Sequence, residues 1–138
     1  MTLLQPPGWP RAPGYAHGVS ATGRFVFISG QIGWDAEGRF TAPDVAGQTR
    51  QALVNVIAIL GEAGGSPEHV TRLTWFITDK RAYLGAREAI GAAYREIMGR
   101  HYPAMSVVVV AGLLEDEAAV EIEATAVIPA RVDGSIER

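Results

Sequence analysis

At 138 residues, 48% of them hydrophobic and 20% charged, the chain has the size and balance of one globular domain that buries a core without covalent staples. It has no cysteine, which excludes disulfides, thiolate metal sites and cysteine nucleophiles together. A formal net charge of −3 argues against a nucleic-acid partner, whose phosphates call for a basic excess.

Four of the eight prolines (Pro6, Pro7, Pro10 and Pro13) fall in residues 1–14, which read as an extended arm. A strand is expected over residues 15–20, and a second, continuously apolar and therefore buried, over 24–29. Asp35-Ala36-Glu37-Gly38 supplies a turn. Thr41, followed by Pro43 and Asp44, marks a helix start. From there Val45, Thr49, Ala52, Leu53, Val56, Leu60 and Ala63 repeat at helical spacing until Gly64-Gly65 stops them. In residues 70–78, Leu73, Trp75 and Ile77 alternate with their neighbours as in a strand. Tyr83, Ala86, Ile90, Ala93 and Ile97 form the stripe of a second helix over residues 81–98. Two last strands, 105–111 and 119–128, close the chain.

The order ββαβαββ predicts a two-layer α+β domain spanning residues 1–138, one sheet with both helices on one face. Val107 to Val110 are apolar on both strand faces, so a lone sheet would expose valines; association between copies is the expected cover. No run of ~20 apolar residues suggests a membrane span, and no basic then apolar leader opens the chain, so a cytoplasmic, membrane-free protein is expected.

Three stretches carry a resemblance: Phe25-Val26-Phe27-Ile28-Ser29-Gly30-Gln31, Gln48-Thr49-Arg50-Gln51-Ala52-Leu53-Val54-Asn55 and Val120-Glu121-Ile122-Glu123-Ala124-Thr125-Ala126. Together they resemble the Rid family of reactive intermediate deaminases (YjgF-type, endoribonuclease L-PSP-like), in order from about Pro13 to Ile128. The resemblance implies a chorismate-mutase-like fold and a homotrimer with small-molecule sites in clefts between subunits. It implies that Glu121 positions the hydrolytic water, that Ser29 and Gly30 line the cleft, and that the Tyr15 hydroxyl faces it. It also puts Met105 where deaminating members carry the arginine that holds a substrate carboxylate, Val107 where many carry cysteine, and Arg87 where a site asparagine is usual.

From the residues alone, Glu121 and Glu123 share one strand face, as any solvent-facing Glu-x-Glu pair would. Ser29-Gly30 alone reads equally as a glycine turn, and Arg87 as a surface side chain beside an apolar stripe. His17 stands on the face of Tyr15, either in the cleft or at a strand edge, and His101 is expected at the surface. The three histidines lack metal-ligand spacing, so neither a metal nor another cofactor is expected. A methionine at position 105 offers no donor for a carboxylate. The leading expectation is hydrolysis of a reactive imine or enamine larger or less acidic than a small 2-imino acid. The alternatives are a non-catalytic trimer that binds metabolites or clients and, third, a ribonuclease.

Overall fold

The periodic segment becomes α1 (Val45–Glu62), in which Val45, Gln48, Thr49, Ala52, Leu53, Val56 and Leu60 are buried; the computed structural model describes residues 1–130. Asp44 is not inside the first turn, as the sequence suggested, but caps it, its carboxylate accepting from the Gly47 amide at 3.1 Å. At the other end Arg24 donates to the Ala63 carbonyl, and Gly64 at φ +81° reverses the chain.

Four strands make the main sheet: β3 (Arg24–Gln31), β4 (Val70–Ile77), β5 (Ala104–Val109) and β6 (Val120–Ile128), in the order β3-β6-β4-β5. Only β4 and β5 run parallel. Cross-strand pairing puts Ile28 beside Ala124, Ala124 beside Leu73 and Leu73 beside Met105, and this row faces the helices. Ile122, Trp75 and Ile77 share that face and are buried. The opposite face carries Phe25, Phe27, Glu121, Glu123, Thr125, Arg72, Thr74, Phe76 and Val108, and no helix among the described residues covers it.

Two elements differ from the sequence expectation. The arm is not simply extended. Its Thr2–Leu4 segment is strand β1, paired antiparallel with β2 (Gly18–Ser20) in a separate two-stranded ribbon, so of residues 15–20 only Ala16 touches the main sheet, through an isolated bridge to Ala104. Pro6 and Pro7, which have no amide hydrogen, limit that ribbon. The second helix is two: α2 (Lys80–Gly85), capped by Asp79, and α3 (Arg87–Met98). Ala86 at φ −107° and ψ 10° separates them, directly after Gly85, the weakest helix former of the segment apart from Gly91. α3 buries Ile90, Ala93, Tyr94 and Met98, and a two-point Arg50–Glu96 pair (3.1 and 2.7 Å) ties it to α1.

Candidate active site

A bulge shapes the first half of the site. Ile28 pairs with Ala124 and Gln31 with Ile122, so Ser29 and Gly30 of β3 stand against Glu123 alone. The extra residue turns β3 toward Glu121. A Cβ built at Gly30 would lie 2.7 Å from the Glu121 carboxyl carbon and 2.8 Å from Oε2. Glu121 is half-buried and has no hydrogen-bond or ion-pair partner among the described residues. Such a carboxylate is an available proton acceptor for a water or a substrate N–H.

Glu123 shares this face one residue pair further along. It lines a concavity of about 500 Å³ together with Ser29, Phe27, Arg72, Thr74 and Thr125. Ser29, Gly30 and Glu121 are thus brought together, and Glu123 lies next to them.

The second half lies beside β5. Ala16 donates its amide to the Pro103 carbonyl at 3.0 Å and bridges in parallel to Ala104, which docks Tyr15 and His17 against that strand. Tyr15, His17, Met105, Ser106, Thr71 and Arg72 line a concavity of about 450 Å³. Arg72, which the sequence reading did not single out, is the cation in this lining; it pairs with Ala104, so it leaves the sheet on the face opposite Met105. Arg72 borders both concavities and has no hydrogen-bond or ion-pair partner among the described residues. Arg87 opens α3, exposed, with its Nε donating to the Leu84 carbonyl at 3.2 Å. Val107 pairs with Trp75 on the helix side of β5 and is 42% exposed.

Within one chain Glu121 and Met105 stand on opposite faces of the sheet. Glu121 pairs with Phe76, and Phe76 with Val108, so Glu121 stands two strand spacings, ~10 Å, from β5. It also faces away from the helices, whereas Met105 lies on the side of Leu73.

His101 is not a free surface residue. Its ring Nε2 is 2.6 Å from the Val70 carbonyl, and its own carbonyl accepts from the Tyr94 hydroxyl. Burial pushes the Tyr94 phenol well above its ordinary range, so it stays a donor. Trp75 is a core residue, 3% exposed and stacked on Tyr94, whereas Trp34 packs on Phe40.

Residues 10–128 match the family model described as Endoribonuclease L-PSP. Over 116 residues the chain is 38% identical to the 2-iminobutanoate/2-iminopropanoate deaminase of Salmonella typhimurium, covering 82% of this chain and 86% of that protein. A Yersinia pestis protein of unknown function in the Rid family, YyfB, superposes with a TM-score of 0.80 at 32% identity, over 91% of this chain and 97% of that one. Escherichia coli TdcF, solved with bound serine, gives 0.65 at 37% identity, over 92% and 98%.

Proposed function

The chain belongs to the Rid family, and we propose that it hydrolyses a reactive imine or enamine in a cleft completed by a second copy of itself. The observation that carries the reading is the half-buried, partnerless Glu121 carboxylate lying against Gly30. In the reaction, water adds to the C=N carbon while Glu121 takes a proton from it. Glu121 returns that proton to nitrogen and then carries the adduct's hydroxyl proton to nitrogen as the C–N bond breaks, so that a carbonyl forms and ammonia leaves. Atoms balance with water as the only co-reactant, and an enamine enters after tautomerising to the imine.

The separation of Glu121 from the Tyr15–Met105 half supports a homotrimer. Joining the β5 edge of one copy to the bulged β3 edge of the next would bring the two halves together and turn the uncovered sheet faces of the copies toward a common interior. Phe27, 75% exposed there, and Val108 and Val109, 42% and 52% exposed, favour this assembly.

Substrate choice follows from Met105. The Salmonella relative is named for two small 2-imino acids. An arginine fork would hold such a carboxylate through two charge-assisted hydrogen bonds, and the thioether of Met105 holds none. The cleft accordingly favours a larger group over a small 2-imino acid. The test is ammonia release from imines generated in place by an amino-acid oxidase, with and without the protein. Acceleration that grows with side-chain size supports the reading, and no acceleration on any imine overturns it.

A further inference from the structure

The N-terminal arm encloses the largest concavity described here, about 950 Å³, a volume suited to a small organic ligand. It shares Tyr15, Ala16 and His17 with the Met105 concavity, so the two adjoin. The arm is held in shape rather than draped. The Gln5 amide donates to the Trp9 carbonyl at 2.9 Å, the Trp9 amide to the Pro6 carbonyl at 3.2 Å, and the His17 ring nitrogen stands 3.2 Å from the Pro10 carbonyl. These bonds set the Trp9 indole edge-on to His17, with ring centres 5.2 Å apart, and Tyr15 is also edge-on to His17 at 5.7 Å. Tyr102 lines the same concavity and is stacked on Tyr94 at 12°, which anchors it to the core.

This wall leaves the Trp9 indole 57% exposed. Arg11 and Arg100 stand at its rim, and neither has an ion-pair partner among the described residues. The rim carboxylate, Glu68, is engaged by the Ser66 side chain, which holds it below the usual carboxylate range. An open aromatic wall with two arginines against one carboxylate, a net positive rim, is complementary to a ring that carries a negative charge.

We propose that the substrate cleft continues from Met105 past Tyr15 and His17 into the arm, where Trp9 holds an aromatic ring and Arg11 and Arg100 hold an anionic group at the end remote from the reacting C=N bond. The inference rests on the Met105 concavity being the substrate cleft. It assigns the anion contact to the far end of the pocket, away from position 105, and makes the arm the element that sets specificity.

Three stable probes of similar size test it by calorimetry: 3-phenylpropanoate, with ring and charge; 3-cyclohexylpropanoate, with charge but no aromatic face; and 3-phenylpropanol, with the ring but no charge. The expected result is that 3-phenylpropanoate binds at least about fivefold more tightly than either control. Trp9→Ala should erase its advantage over the cyclohexyl acid, and Arg11→Ala with Arg100→Ala its advantage over the alcohol. All three positions are exposed, so these variants should fold. The chain has three methionines, and the Met105 methyl resonance should shift when the probe binds. Equal binding of the three probes, indifference to Trp9→Ala, or an unmoved Met105 resonance would overturn the proposal. Run in the Glu121→Gln protein, the binding test is independent of turnover. Probe selectivity in a protein inactive on every imine would keep the arm site and remove the proposed reaction, whereas turnover without probe selectivity would do the reverse.

Discussion

Gly30 and Glu121 occupy adjoining space: a single methyl group added at Gly30 would stand 2.7 Å from the carboxyl carbon of Glu121. The bulge in β3 therefore decides where the β6 carboxylate sits. Gly30→Ala should push that carboxylate aside at small structural cost, because the atoms it meets are the far end of a flexible side chain. Turnover is expected to fall by ~10²-fold, the effect of misplacing a reacting group by about 1 Å. The unfolding midpoint should move little. Unchanged turnover would mean that the carboxylate position is irrelevant to the chemistry.

Met105→Arg tests the account of substrate choice. The new guanidinium would supply the two-point carboxylate contact, and activity on 2-iminopropanoate should rise by up to ~10²-fold if about 3 kcal/mol is recovered in the transition state. Met105 packs partly against the core beside Leu73, so a modest loss of thermal stability should accompany the gain. No gain on small 2-imino acids in a folded variant would refute the assignment.

The assembly prediction is direct. Static light scattering should give a mass three times 14.7 kDa. Phe27→Glu, on the uncovered sheet face, should shift the protein toward monomer and abolish turnover together, as the proposed shared cleft requires. An active monomer would contradict the shared cleft.

Gln48 yields a stability prediction unrelated to catalysis. It is 1% exposed and bonds three backbone groups: its amide donates to the carbonyls of Ala42 (3.1 Å) and Glu117 (3.0 Å), and its Oε1 accepts from the Ala119 amide at 2.7 Å. Gln48→Ala leaves all three unsatisfied and opens a cavity, so about 2–4 kcal/mol should be lost in denaturant unfolding. A loss under about 1 kcal/mol would show that water replaces those bonds.

Gln48 also illustrates what the sequence hides. Apolar spacing made α1 legible, and strand parity put Glu121 and Glu123 on one face, as their pairing with Phe76 and Thr74 bears out. A buried glutamine breaks no periodicity rule, because two of its three partners lie 69 and 71 residues away. The same holds for Arg72, an ordinary strand arginine until β5 and β6 set Ala104 and Thr125 beside it. The arm looked featureless because prolines mask the short Thr2–Leu4 pairing, and the break at Ala86 left the apolar stripe in phase on both sides. Family resemblance named the separate parts of the site, and the strand order β3-β6-β4-β5 sets how far one chain holds Glu121 from β5.

The central claim is that Glu121 moves the proton, and the most direct measurement is turnover of Glu121→Gln against Glu123→Gln. Glutamine keeps shape and hydrogen bonding but removes the base. Glu121→Gln should therefore lower turnover by ~10²–10⁴-fold with ligand affinity little changed, while Glu123→Gln leaves both nearly intact. Neither change opens a cavity, so both proteins should unfold near the wild-type midpoint. Full activity in Glu121→Gln, or equal losses in the two variants, would contradict the account.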